Sequence, residues 1–95
     1  MDNKRYIIRC DRSGVFYGEI AKREGREATI RNARQLWYWD GANSLMQLAN
    51  EGVRKPKNCK FTVTIAELVV MDAIEILPCT EAAIANIEAV PEWRT

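Results

Sequence analysis

The hydrophobic pattern changes period several times along the chain, and each change marks an element. Residues 5–10, Arg-Tyr-Ile-Ile-Arg-Cys, are dominated by β-branched and aromatic side chains and predict a strand. Asp11-Arg12-Ser13-Gly14 carries turn chemistry, and Val15 to Ala21 predicts the returning strand of a hairpin. After a second turn signal at Glu24-Gly25, residues 27–31 alternate polar and apolar, as a half-solvated strand should. Residues 34–39, Arg-Gln-Leu-Trp-Tyr-Trp, predict a fourth strand. Residues 60–65 alternate with Phe61, Val63 and Ile65 on one face. Residues 67–77 read as a longer strand in two phases, with a bulge or bend near Asp72-Ala73.

Between these strands the period switches to that of a helix. Ala42, Leu45, Met46 and Ala49 recur at helical spacing, Asp40 is placed to cap, and Gly52 fits the left-handed position that ends a helix. The spacing predicts a main helix over about 41–51. Thr80 can cap a short second helix, 81–88, packing through Ile84 and Ile87, with Trp93 pinning the tail. The expected fold is α+β: an antiparallel sheet of about five to six strands, with the main helix on one face.

Length and composition bound the function. With 95 residues, 47% of them hydrophobic and 28% charged, the chain predicts one globular domain, 1–95, rather than a disordered segment. No apolar run suffices to cross a bilayer, and the charged start, Met1 to Arg5, lacks the apolar core of a signal peptide. Three cysteines, Cys10, Cys59 and Cys79, without a CxxC pattern argue against a disulfide framework or a zinc site and for reduced thiols in a cytosolic protein. The chain contains no histidine, which removes the usual general base and the commonest metal ligand. Asp72 and Glu75 are three apart in a predicted strand and so fall on opposite faces. No phosphate-binding glycine motif is present. The expectation is a protein that is not an enzyme, with no catalytic residues, no metal and no cofactor.

Charge is unevenly placed. Residues 1–60 hold 13 Lys/Arg against 7 Asp/Glu, a net of +6, whereas residues 61–95 hold 1 against 6, a net of −5. Such a split suits an anion-binding surface or complementary contacts between protomers. The densest chemistry lies between Arg31 and Trp39, where Arg31 and Arg34 accompany Trp37 and Trp39. Guanidinium groups beside aromatic rings can stack on nucleobases and pair with phosphates. A strand would put Trp37 and Trp39 on one face. The helix start, with Asn43 and Ser44, offers first-turn backbone amides to an anion, although an Asp40 cap would occupy the same donors, and the basic loop Arg54–Lys60 offers Lys57 and Lys60. The candidate ligand-binding set is Arg31, Arg34, Trp37, Trp39, Asn43, Ser44, Lys57, Lys60 and Phe61. Arg34 and Lys60 are expected to be exposed, so that removing either weakens binding without unfolding the chain. A net charge of only +1 argues against DNA or RNA polymers as partners.

Several blocks resemble a family of small bacteriophage and prophage proteins. They are Gly-Val-Phe-Tyr-Gly-Glu-Ile at 14–20, Arg-Glu-Gly-Arg-Glu at 23–27 and Asn-Ala-Arg-Gln-Leu-Trp-Tyr-Trp-Asp-Gly-Ala-Asn-Ser-Leu at 32–45. Gln47-Leu48-Ala49, Asn58-Cys59-Lys60-Phe61, the stretch from Ile74 to Thr80 and Val90-Pro91-Glu92-Trp93 continue the likeness. Within that resemblance stand the Thoeris anti-defence sponges. It implies sequestration, without cleavage, of cyclic ADP-ribose signals, or of the cyclic oligonucleotides of CBASS immunity. It also implies a homo-oligomer, a hexamer in relatives, in the cytoplasm of an infected bacterium and without a membrane partner. Two rival readings remain: an inhibitor that binds a bacterial defence protein, and a phage structural or assembly protein.

Overall fold

The hairpin encoded by the first two apolar runs is present: Tyr6–Cys10 forms β1 and Val15–Glu24 forms β2. The computed structural model describes residues 4–95, and Met1–Asn3 of the charged start lie outside the described residues. Gly14 turns the hairpin at φ 116°, a conformation that side chains with a Cβ rarely adopt. Glu27–Tyr38 forms β3, one strand of 12 residues where the sequence suggests two. The apparent gap is a bulge. Asn32 sits at φ 51° in the left-handed region, and the β2–β3 register shifts beside it.

Leu45–Glu51 forms α1, shorter than the expected 41–51. Ser44 rather than Asp40 is its cap: its Oγ accepts from the Gln47 amide at 3.1 Å, while Gln47 Oε1 accepts from the Asn43 amide at 2.9 Å. Asp40 instead accepts from Asn58 Nδ2 at 3.1 Å. A single 3-10 turn over Pro56–Asn58 then leads into β4, Lys60–Phe61, and β5 is Ile65–Val70. The expected strand 60–65 is therefore broken, and β5 starts where that strand was to end. Ala73–Pro78 forms β6, and Glu81–Ala89 forms α2, capped by Thr80 as the sequence predicts.

The sheet has six strands and all its ladders are antiparallel, ordered β4-β3-β2-β1-β6, with β5 also pairing β3. The fold is α+β. The two-phase run 67–77 is thus not a bulged strand. Its halves belong to opposite edges of the sheet, joined only through Met71 and Asp72. Such a short link obliges the sheet to curl until its edges approach at that end. The Asp11 amide donates to the Asp72 carbonyl and the Ala73 amide to the Arg26 carbonyl, both at 2.9 Å, closing it.

Curling gives the sheet two apolar faces. Ile8, Cys10, Phe16, Ala28, Ile30, Ala33, Val70 and Ala73 fill the concave side. Ile7, Tyr17, Leu36 and Phe61 meet Leu48 of α1 with Ala83 and Ile87 of α2 on the other. The Asn32 bulge changes the phase of β3 between them, so that Ala28 and Ile30 point into the first cluster and Leu36 into the second. The helices are tied by local polar bonds. Thr80 caps α2 and also donates through Oγ1 to the Asn50 carbonyl at 2.6 Å, and Asn86 bonds both backbone groups of Val53. Gly52 ends α1 at φ 78°, and a Cβ there would meet Asn86 Oδ1 at 2.2 Å.

Asp72 clasps the hairpin turn. Its carboxylate accepts from the Ser13 hydroxyl at 2.7 Å and from the amides of Ser13 and Arg12 at 2.9 and 2.7 Å. These bonds, the Ser13 hydroxyl foremost, lower its pKa to about 2. A depressed carboxylate stabilises the fold above its unfolded pKa of about 3.9, and that contribution disappears as pH falls through the folded value. Asp72→Asn is expected to flatten the acid limb of the melting-temperature profile below about pH 4. An unchanged limb would mean that the clasp does not couple to folding.

Candidate functional site: an exposed tryptophan pair beneath a lysine

Three adjacent backbone strips build one surface patch. The end of β3 supplies Trp37, β4 supplies Lys60, and the segment after α2 supplies Trp93. The last strip is held by a parallel bridge between Phe61 and Glu92 and by the Trp93 amide donating to the Phe61 carbonyl at 2.8 Å. The indoles of Trp37 and Trp93 stack with centroids 5.1 Å apart and planes at 24°. Lys60 Nζ lies 5.4 Å from the Trp37 centroid and 5.5 Å from that of Trp93. The patch stays open: Trp37 is 56% and Trp93 43% exposed, with Tyr38 beside it at 49%. An ammonium over exposed rings contributes only about 0.5–1 kcal/mol to stability, so most of the apolar area remains available to a partner.

Of the nine expected ligand residues, the structure brings Trp37 and Lys60 together. Lys57 is exposed in the 3-10 turn three residues before Lys60. The others are employed elsewhere. Phe61 is fully buried, and the Arg34 guanidinium carbon lies 5.4 Å from its ring centroid. Trp39 does not share Trp37's setting, because it is half-buried and packs against the core under the helices. Ser44 and the Asn43 amide are consumed by the α1 cap, and a helix of seven residues with its first turn so capped offers no anion site. Arg31 pairs with Glu67 at 3.6 Å, and lies six residues before Trp37 on β3, or about 20 Å at the usual strand rise.

Arg34 is the largest departure. It is 5% exposed. Its Nε donates to the Thr62 carbonyl at 3.0 Å, Nη1 to those of Ile87 and Val90 at 3.1 Å, and Nη2 to that of Phe61 at 3.2 Å. Ile87 and Val90 stand at the C-terminal end of α2, where the carbonyl end of the helix dipole favours a cation. Burial pulls the arginine pKa down, with the nearby Glu92 charge opposing. Four of the five N–H donors of this guanidinium are spent on backbone carbonyls, so it binds the fold together rather than presenting itself to a ligand.

The thiols are set by burial as well. Desolvation pushes Cys10 and Cys79 up to about 11 and raises Cys59, so all three stay protonated at neutral pH. Among the described residues no three His, Cys, Asp or Glu side chains gather as a metal site, and no helix is long and apolar enough to cross a membrane. Trp93 is the site residue that the sequence reading missed. Its only sequence signal is an aromatic residue in a polar tail, which reads equally well as an anchor.

Residues 3–87 match a family described as a domain of unknown function, DUF6948, and the chain belongs to that family. No curated protein and no solved structure matches the chain.

Proposed function

We propose that this DUF6948 domain is a non-catalytic binding protein that sequesters a cyclic nucleotide signal at the Trp37–Lys60–Trp93 patch. The observation that carries the reading is the ammonium of Lys60 held over two exposed, stacked indoles. A nucleobase stacking on the outer face of either indole would gain about 1–3 kcal/mol, and a phosphate beside the ring would meet Lys60. Lys55 and Lys57 precede Lys60 and form no ion pair among the described residues, which extends the positive rim. The resemblance to Thoeris and CBASS anti-defence sponges adds the substrate class: cyclic ADP-ribose-type or cyclic oligonucleotide signals in an infected cell's cytoplasm. A patch this open buries one side of a ligand, so a second protomer of a homo-oligomer would supply the other wall. The inhibitor reading would use the same aromatic pair as an interface hot spot. Lys60 tips the choice, since a cation fixed over the rings suits a phosphate-bearing partner better than an apolar one.

Thermal melts against cyclic ADP-ribose and cyclic di- and trinucleotides, with AMP as control, test this. Ligand at a hundredfold its Kd should raise the melting temperature by about 10–20 °C, and the nucleotide should be recovered intact. No shift with any cyclic nucleotide would favour a protein partner, and a hydrolysed product in excess over protein would overturn the non-enzyme reading.

A further inference from the structure

A concavity of about 460 Å³ opens at the other end of β3, between the start of β1, the far half of β2 and β6. Its floor is apolar: Tyr6, Ile20 and Ile76 are partly buried and pack on the concave-face core. Its rim is cationic, with Arg23 and Arg31 among the lining residues. Glu19 also lines it, but that carboxylate already accepts from Asn32 Nδ2 at 2.7 Å and faces Arg5 Nη2 at 3.5 Å. Arg31 pairs with Glu67 at 3.6 Å, with both side chains more than half exposed, an arrangement solvent screens and a stronger anion can displace. Arg23 forms no ion pair among the described residues.

The geometry points to a second binding site here, for a small organic phosphate carrying one planar or apolar group. The volume falls in the range of roughly 300–1,000 Å³ that small-molecule pockets occupy. Planar guanidinium forks match phosphate oxygens in pairs, which a lysine cannot do. The Tyr6–Ile20–Ile76 floor gives the organic part somewhere to lose water, so a bare phosphate would use only half of the site. The site is separate from the tryptophan patch, because Arg31 and Trp37 are about 20 Å apart along β3. It therefore stands or falls independently of the function proposed above.

Phenyl phosphate is the probe, titrated by calorimetry into the full chain, with inorganic phosphate and benzyl alcohol titrated alongside. Phenyl phosphate should bind saturably and more tightly than either. Arg23→Ala and Arg31→Ala should each weaken it about tenfold or more, as loss of a charge-assisted hydrogen bond does. Both arginines are exposed, so circular dichroism melts should show the fold retained. Met46→Ala, exposed on α1 and away from both sites, should leave the affinity unchanged. No saturable binding, equal affinity for inorganic phosphate, or loss of binding in Trp37→Ala but not in the arginine variants would each overturn the assignment.

Discussion

Replacing Arg34 by alanine should cost this domain a large share of its stability. Arg34 sits 5% exposed and donates to four carbonyls, from Phe61, Thr62, Ile87 and Val90. Without it β4 loses its tie to β3 through the side chain, and the end of α2 loses the charged donor that its Ile87 and Val90 carbonyls share, Ile87 keeping only the Val90 amide. Breaking so buried a charged network costs about 3–5 kcal/mol. A domain of this size has about 5–15 kcal/mol in total, so the loss translates to roughly 15–30 °C in melting temperature. Arg34→Lys should recover only part, because three donors on a point charge cannot reproduce a planar fork reaching carbonyls on different elements. Arg31→Ala, three positions away and exposed, should stay within about 0.5 kcal/mol of the parent protein. Differential scanning calorimetry of the three variants checks this. A small effect of Arg34→Ala, comparable to that of Arg31→Ala, would contradict the structural role.

The two arginines look alike in the sequence, and the reason they part is not local. Alternation along β3 is legible from residue 27 to 31 and again from 34 to 39, but the bulge that joins these phases depends on Asn32 adopting φ 51°. Asparagine tolerates that conformation without announcing it. The bulge swings Arg34 and Leu36 toward the helices, and there the guanidinium finds the end of α2. The β1–β2 hairpin, Thr80's cap and Gly52's helix stop were readable because each rests on chemistry within a few residues. The destinations of β5 and β6 were not, since 67–77 carries apolar residues throughout and only long-range pairing sends its halves to opposite edges. The aromatic patch was half legible for the same reason. Trp37 and Lys60 were named from composition, whereas Trp93 joins them only because the tail returns beside β4.

Lys60→Ala and Trp37→Ala should show the reverse profile to Arg34→Ala: folded protein and weakened ligand binding. Losing the ammonium or the stacking surface should each weaken cyclic nucleotide binding by about 1–3 kcal/mol, or roughly 5- to 150-fold. Stability should fall by no more than about 1.5 kcal/mol, the value of one exposed aromatic pair with its cation. Lys60→Arg should retain much of the affinity, since a guanidinium also sits over indoles and pairs with phosphate. The double variant should lose less than the sum of the single losses, because Lys60 is held in place by the ring it covers. Calorimetric titration beside thermal melts separates the two quantities. Full affinity in both single variants, with the fold intact, would move the site away from this patch.

The most direct test of the patch needs no substitution. The chain has three tryptophans, so its nitrogen–proton correlation spectrum carries three indole signals. Two belong to the exposed stack and one to Trp39 at the core. Titrating cyclic ADP-ribose, or whichever cyclic nucleotide raises the melting temperature, should shift the Trp37 and Trp93 signals along a common saturable curve and leave Trp39 nearly still. Saturable binding with Trp37 and Trp93 unmoved would contradict the account.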